Sequence, residues 1–157
     1  MSEIQHEVKP KRRTNAPSPS SDAARSRMLA VRQRGTKPEL AVMAQLDRLG
    51  LTYMHDTKPE LSQKTRADFV LHQARVAVFI DGCFWHACPT HASRPKANAA
   101  WWVTKLDANV ERDAQTTRCL QEAGWRVLRF WAHEDPSTVA ATIATTADSG
   151  YSNDSAL

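Results

Sequence analysis

The chain has no long apolar run, and its first residues include no apolar stretch of the kind that directs secretion. No segment approaches the roughly 18 consecutive apolar residues that a membrane-spanning helix needs, so no such span is expected. The missing apolar leader predicts a cytoplasmic protein. With 157 residues, the chain is long enough for one ordinary domain and too short for two.

Cysteine is also scarce, since the chain has only three. Three cysteines cannot form a complete disulfide framework. In a reducing compartment, Cys83 and Cys88 are better explained as metal ligands than as a disulfide. Cys119 stands alone in a helical stretch, which favours a small buried hydrophobic side chain.

Apolar residues are nearly absent from the N-terminal part of the chain, which is rich in Pro, Ser, Lys and Arg. Such a segment cannot bury enough surface to offset chain entropy. We therefore expect a disordered basic arm over residues 1–23, a folded domain over 24–148 and a flexible tail over 149–157.

The positive charge is concentrated near the N-terminus. Residues 1–37 hold nine Lys or Arg and three Asp or Glu, whereas the rest holds twelve basic and fourteen acidic residues. A basic arm suits a polyanion such as DNA. A solvated tail that only improves solubility would have the same composition.

The first predicted element of the domain is a helix. Thr36 and Glu39 have the spacing of a capping box, and Gly50 is placed to end the helix. The apolar residues between them recur at helical spacing: Leu40, Met43, Leu46 and Leu49. A short strand is expected at 51–54.

A hairpin and a second helical region follow. Residues 67–71 and 75–80 predict two strands joined by a turn at His72-Gln73. Residues 81–98 have no clear period and read as an irregular loop. A long helix over 99–123, a strand over 125–131 and a helix starting at Asp135-Pro136 complete the order. This order predicts an α/β or α+β sandwich around one mixed sheet.

The irregular loop contains a candidate zinc site. The spacing Cys83-x4-Cys88-x2-His91 places three zinc-type ligands within nine residues. A closed structural site needs a fourth ligand. We expect His133, just after the last strand, with His86 as the alternative. A surface loop with incidental Cys and His is the competing interpretation.

Two carboxylates are expected at one edge of the sheet. Asp68 is near the start of one hairpin strand and Asp81 follows the other, so the hairpin brings them together. Mg²⁺ commonly takes one or two carboxylates plus substrate phosphate. Aspartates at strand ends are also ordinary turn formers.

The segment from Phe79 to His86, Phe-Ile-Asp-Gly-Cys-Phe-Trp-His, resembles the signature of the very-short-patch repair endonucleases. These enzymes nick one strand at T·G mismatches left by deamination of 5-methylcytosine, and they belong to the restriction-endonuclease-like superfamily. The resemblance continues through residues 66–70, Trp102-x2-Lys105, 109–113 and 124–128, in one collinear order over about 24–134.

The resemblance implies roles for the charged and metal-binding residues. Asp68 matches the metal-binding aspartate, and His86 matches the histidine that activates the attacking water. Position 81 varies in the family between His and Asp. Glu39 matches an active-site glutamate, although its capping-box spacing explains it structurally. The zinc ligands of the family fall at Cys83, Cys88, His91 and His133.

One departure from the wider superfamily supports the repair branch. The usual acid-x-Lys motif of the second strand is missing, because Asp81 is followed by Gly82 and Cys83. The repair branch lacks this lysine too and uses histidine. Histidine is the side chain most often used as a general base at neutral pH, so His86 is suited to this role. A catalytic His86 is unavailable to zinc, which favours His133 as the fourth ligand.

The resemblance also implies DNA-contacting residues. Phe84, Trp85 and Trp102 match an aromatic wedge that opens the stack at a mismatch, unless they are core aromatics. Trp101 and Trp102 should point about 100° apart, so that one is core and the other exposed. Trp102, Lys105 and Asn109 share a helix face, where they contact the mismatch or form an ordinary solvated surface. Met28 matches an arm residue that packs into the opened step.

As a whole, the resemblance implies a three-layer α/β sandwich of the restriction-endonuclease-like type, with catalytic Mg²⁺ at Asp68 and Asp81 and structural Zn²⁺. The implied partner is double-stranded DNA containing a T·G mismatch. The enzyme is expected to be a monomer, associated with the nucleoid when bound to DNA and open to repair-protein partners. The alternatives are a restriction or phage-defence nuclease of the same fold, or a zinc-containing DNA-binding module without catalysis. The presence of both Asp68 and His86 argues against the last.

Overall fold

The computed structural model describes residues 16–30, 34–91 and 93–151. The elements in chain order are α1 (Asp22–Ala30), α2 (Lys37–Arg48), β1 (Met54–Thr57), β2 (Ala67–Leu71), β3 (Val76–Asp81), α3 (Ala99–Glu122), β4 (Arg126–Trp131) and α4 (Pro136–Tyr151). The predicted type and order of the elements from α2 onward are confirmed. Helix α1 was not predicted.

The four strands form one mixed sheet in the order β1-β2-β3-β4. The first three are antiparallel neighbours, and the predicted β2–β3 hairpin turns between His72 and Arg75. Strand β4 runs parallel to β3, from the pair Val76↔Arg126 to the pair Asp81↔Trp131. Parallel neighbours need a long crossover. Helix α3 provides it.

Each face of the sheet packs against helices. On one face, Phe69, Val76 and Val78 form a core with residues of α2 and α4. On the other, Val70, Ala77 and Phe79 pack with Leu120 of α3 and with Trp125. Because β2 and β3 are covered on both faces, they read as continuous apolar runs. The expected three-layer α/β sandwich is confirmed.

Burial along α2 is uneven, and β1 starts later than the strand predicted at 51–54. Leu40 and Leu49 are half exposed, whereas Val42 and Leu46 are buried in the core. Strand β1 starts at Met54, because the preceding residues still complete the end of the helix: the Leu51 N–H donates to the Leu46 carbonyl. The chain reverses direction after α2 at Gly50, whose positive φ permits this hydrogen bond.

The ends of the described chain also differ in detail from the expected boundaries. Helix α1 begins at Asp22, inside the segment expected to be an arm, and α4 continues to Tyr151, beyond the expected boundary at 148. Residues 1–15 and 152–157 lie outside the described ranges. Among the helices that are described, none is both long and apolar enough to cross a membrane.

The topology gathers chemically useful residues at one edge of the sheet. This edge contains the beginning of β2 with Asp68, the end of β3 with Asp81 and the end of β4 with Trp131. The loop after β3 and the turn after β4 leave from the same edge. Residues 81–98 and 132–135 therefore start close together although they are far apart in sequence.

Candidate active site and metal centre

Four potential zinc ligands converge where the loop after β3 meets the end of β4. The ligand atoms of Cys83, Cys88, His91 and His133 all lie within 4.8 Å of one another. Nδ1 of His133 is 3.1 Å from Sγ of Cys83 and 3.2 Å from Nδ1 of His91. Sγ of Cys88 is 3.9 Å from Nδ1 of both histidines.

These distances fit a tetrahedral zinc site. Bonds of about 2.0–2.3 Å place the ligand atoms of a zinc tetrahedron roughly 3.3–3.8 Å apart. The pKa of Cys88 lies below its usual value, because hydrogen bonds from the His91 and Thr90 backbones outweigh the raising effect of burial. The candidate ligand set among the described residues therefore comprises two cysteines and two histidines and includes His133 but not His86.

Asp68 is the carboxylate whose chemistry its surroundings change most. Burial, reinforced by the charges of Glu39 and Asp81, raises the pKa of Asp68 to about 7. The hydrogen bond that Oδ2 accepts from the Ile80 N–H, at 2.6 Å, acts in the opposite direction. Within the described residues, Oδ1 has no hydrogen-bond partner. A buried carboxylate surrounded by like charges favours a nearby cation.

Glu39 is buried at the start of α2 and binds the chain just before it. One oxygen accepts the Gly35 N–H at 2.8 Å, and the other accepts the Thr36 hydroxyl at 2.7 Å. The expected capping box is therefore modified, because the Thr36 side chain bonds to the Glu39 carboxylate and makes no hydrogen bond to a backbone N–H. Nε2 of His55 lies 3.9 Å from Oε2 of Glu39.

Asp81, the second expected magnesium ligand, is bound by an arginine. Nε of Arg129 donates to Oδ2 of Asp81 at 2.7 Å, and Nη2 donates to Oδ1 at 2.7 Å. The guanidinium also stacks over the Phe79 ring, 4.6 Å from the ring centroid. Arg129 thus already bonds both carboxylate oxygens of Asp81.

His86 is oriented by a carboxylate of α3. Its Nδ1 forms a hydrogen bond with Oδ2 of Asp113 and lies 3.6 Å from Oδ1 of Asp81. The hydrogen bond from His86 and the charge of Arg129 hold the pKa of Asp113 below its usual value, although burial acts to raise it. With Nδ1 engaged by an anion, Nε2 is the nitrogen that can accept a proton.

Asp113 and Arg129 are the site residues that received no role from the sequence. Asp113 follows the buried Asn109 by one helical turn and so faces the sheet. Arg129 comes two residues after Val127 in β4 and therefore lies on the same face of the sheet, the one that packs against α3. A charged residue on the inward face of a helix or strand is the signal that could have identified both.

The expected wedge residues lie together in an aromatic cluster of Phe84, Trp85, Trp101 and Trp102. Ring centroids of contacting pairs are 4.9 to 5.9 Å apart. All four side chains are half-buried, so Trp101 and Trp102 do not divide into one core and one exposed residue. A cavity of about 530 Å³ separates the cluster from the N-terminal residues 16–20.

Of the remaining expected DNA contacts, Lys105 and Asn109 occupy different environments. Lys105 is exposed on α3. Asn109, on the same helix face, is buried, and its Nδ2 donates to the Trp85 carbonyl at 3.1 Å. This hydrogen bond fixes the loop that carries the cluster and leaves the Asn109 amide turned away from solvent. Met28 lies in α1, and its side chain is outside what the structure describes.

The arrangement combines two chemical capabilities. A half-buried aspartate with an uncommitted oxygen can hold a hard divalent cation, which stabilises charge on a phosphate and activates water. A histidine oriented by a carboxylate can accept a proton from that water. Beside His86, an open cavity of about 230 Å³ is lined by Asp81, Asp113 and Arg129.

Comparison with known proteins agrees with this chemistry. The family model described as DNA mismatch endonuclease Vsr matches residues 20–91. A type II nicking enzyme, V.NaeI of Lentzea aerocolonigenes, is 46% identical over 128 residues, which cover 80% of this chain and 77% of that enzyme. The DNA mismatch endonuclease Vsr of Escherichia coli (strain K12) is 36% identical over 111 residues, with 69% of each chain covered.

Among solved structures, the catalytic domain of the homing endonuclease I-Bth0305I is similar in fold. The match has a TM-score of 0.50 and covers 74% of this chain and 98% of that domain. The sequence identity is 19%, so this similarity concerns the fold alone.

Proposed function

The chain belongs to the Vsr family of DNA mismatch endonucleases, and from this membership we propose that it nicks one strand of duplex DNA at T·G mismatches. The proposed reaction is metal-dependent hydrolysis of a phosphodiester. The observation that carries the proposal is the placement of Asp68 at the same sheet edge as the His86–Asp113 pair. The 46% identical relative is a nicking enzyme, which supports cleavage of a single strand.

In the proposed reaction, Asp68 would hold Mg²⁺, which would supply charge stabilisation at the phosphate and at the attacking water. His86 accepts the proton of the water through Nε2, while Asp113 keeps the imidazole in the required orientation. Glu39 acts indirectly, because its negative charge helps to raise the pKa of Asp68 and so strengthens the preference of the site for a cation. Asp81 remains bonded to Arg129.

Zinc has a structural role in this proposal. Cys83 begins the loop that carries Phe84 and Trp85, and a metal bond at Cys83 would fix their backbone. The hydrogen bond from Asn109 to Trp85 holds the same loop from the α3 side. A rigid support allows aromatic side chains to enter a base step without the loop retreating.

We propose that Phe84, Trp85 and Trp102 recognise the mismatch as an intercalating wedge. Unstacking a base step costs a few kcal/mol and costs least at a mismatch, so the wedge favours mismatched sites. The half-buried rings have apolar surface available for such contact. Lys105 is exposed on the neighbouring turn and can reach a base edge or phosphate, and Met28 of α1 would pack into the opened step.

The decisive test is cleavage of end-labelled duplexes that differ only in T·G or C·G at one position, with Mg²⁺. We expect a nick in one strand of the T·G duplex. Asp68→Asn should abolish it, whereas Asp107→Asn, at an exposed position of α3, should leave it unchanged. Equal nicking of both duplexes would contradict mismatch selection and favour a restriction or defence nuclease. DNA binding without cleavage would favour the non-catalytic alternative.

A further inference from the structure

Two carboxylates compete for the imidazole of His86. Nδ1 is hydrogen-bonded to Asp113, and Oδ1 of Asp81 is only 3.6 Å away. Both acids are largely buried, with side chains 11% exposed for Asp81 and 19% for Asp113. The orientation of the imidazole depends on which carboxylate accepts the hydrogen bond from Nδ1. A further residue is therefore needed to favour Asp113 over Asp81.

The contacts of Arg129 favour Asp113 as the acceptor. Its two donors to Asp81 occupy both oxygens of that carboxylate, which makes Asp81 a weaker acceptor for His86. Nη2 also lies 3.3 Å from Oδ1 of Asp113, whereas His86 bonds the other oxygen of that carboxylate, Oδ2. Asp113 is therefore held from two sides, with one oxygen towards Arg129 and the other towards His86.

The remaining nitrogen of the guanidinium indicates how Arg129 acts. Nη1 is buried and has no hydrogen-bond partner among the described residues, and the guanidinium lies over Phe79. Nε and Nη2 are both engaged by carboxylates, so Arg129 is placed to act on the site through Asp81 and Asp113.

We infer that Arg129 is a positioning residue that binds Asp81 and thereby assigns His86 to Asp113, keeping Asp81 out of both imidazole binding and metal coordination. The inference rests on the proposed function only in naming the reaction that His86 serves. It predicts that Asp81 lowers nicking activity when Arg129 is replaced, and that replacing Asp81 as well restores the activity.

The test is a double-substitution series in the full chain: Arg129→Met, Asp81→Asn and the two combined. Arg129→Met should lower kcat for nicking about tenfold or more, as expected when a general base is misoriented, with KM for DNA nearly unchanged. Adding Asp81→Asn should restore kcat to within about threefold of the parent, because the two changes are coupled. Arg118→Met, which breaks an exposed pair with Glu111, is the matched control.

Two measurements on DNA-free protein make the test independent of nicking. A Mn²⁺ titration should show tighter or additional binding in Arg129→Met, and the double variant should return to the parent value, since only the single variant frees Asp81. The ¹⁵N resonances of His86 should change in Arg129→Met and revert in the double variant. If the parent does not nick DNA, the proposed function fails, and these two measurements still decide the inference.

Arg129→Lys provides the result if Arg129→Met does not fold. Lysine keeps the charge but cannot bind both oxygens in the planar geometry of a guanidinium, so kcat should fall between the parent and Arg129→Met. Failure of Asp81→Asn to restore either arginine variant would overturn the inference. So would a higher KM with unchanged kcat, which would indicate direct contact between Arg129 and DNA.

Discussion

At the scale of single residues, Asp68 shows how a site can be prepared for a cation at the expense of the fold. Its carboxyl is largely buried beside Glu39 and Asp81, and its pKa is raised to about 7. Ionisation of Asp68 near neutral pH therefore destabilises the metal-free protein. Binding of a cation would remove this penalty.

The consequence is a pH-dependent effect of Asp68→Asn on stability. In the folded state, a pKa raised from 3.8 to about 7 gives a contribution that is fully present below pH 3.8 and is lost as pH rises through 7. Asparagine stays neutral and can still accept from Ile80. At about pH 8 without Mg²⁺, the variant should have a free energy of unfolding higher by up to about 4 kcal/mol.

Urea unfolding of zinc-loaded protein at several pH values measures this difference. Asp107→Asn, at an exposed position, should show no comparable pH trend. The variant and parent should converge below about pH 4, where Asp68 is protonated in both states. A difference that is absent at about pH 8, or that persists undiminished in acid, would disagree with the raised pKa.

How far single residues could be predicted from sequence depends on whether their partners are local. Three of the candidate zinc ligands follow from local spacing, and the structure brings them together with His133, which spacing did not specify. The pairing of Asp81 with Arg129 joins residues 48 positions apart. It depends on the parallel register of β3 and β4, which no local pattern specifies. The engagement of Asn109 with Trp85 likewise depends on how α3 crosses the loop.

At the scale of elements, the loop after β3 carries three of the four clustered cysteine and histidine side chains, and Cys88 among them is buried. We expect Cys88→Ser to lose zinc and to destabilise the fold rather than only slow the reaction, because folding and metal binding are coupled. Metal analysis of purified protein and thermal unfolding measure both effects.

Cys119→Ser is the matched control for this experiment. Cys119 lies within α3 and is not part of the ligand set. Its replacement should keep one zinc per chain and a nearly normal Tm. Normal zinc content in Cys88→Ser, or equal loss in the two variants, would rule out the proposed centre.

The aromatic cluster gives the second prediction at this scale. Trp85→Ala should weaken binding to T·G duplex much more than binding to matched duplex, since the wedge gains most where stacking is poor. Zinc content and circular dichroism should remain near those of the parent. Binding titrations on both duplexes measure the ratio. Equal weakening would indicate general contact, and loss of folding would show that Trp85 is a core residue.

Most elements could be predicted from sequence because their patterns are local. The β2–β3 hairpin, α3 and α4 follow from apolar runs, caps and glycine stops. Strand β1 was placed too early because the chain after Gly50 first satisfies the carbonyls of α2. The helical period of the apolar residues in α2 does not specify which of them are buried, because packing against α4 decides which are covered.

At the scale of the whole molecule, the separation of charge should matter most for DNA binding. The basic excess lies in residues 1–37, and the rest of the chain is slightly acidic. Deleting residues 1–15 removes Lys9, Lys11, Arg12 and Arg13, so binding should weaken. The slope of log K against log salt should become shallower by as much as about three, because fewer counterions are released.

Fluorescence anisotropy over a salt series measures this slope. The matched control is the full-length variant with Glu3→Gln and Glu7→Gln, which removes the acids of the same segment and should not weaken binding. An unchanged slope after the deletion would mean that residues 1–15 only improve solubility.

The parallel pairing of β3 and β4 has a consequence for the order in which the molecule folds. The antiparallel meander of β1, β2 and β3 is connected by loops alone, whereas the 24-residue helix α3 separates β3 from β4 in sequence. Contacts between distant segments carry the larger loop-closure entropy and form late. Three of the zinc ligands follow β3 and the fourth follows β4. A metal ion bound there would link the end of β4 to the loop after β3 once the two strands have paired. It would thereby shorten the time for which the edge of β3 is exposed to pairing with other chains.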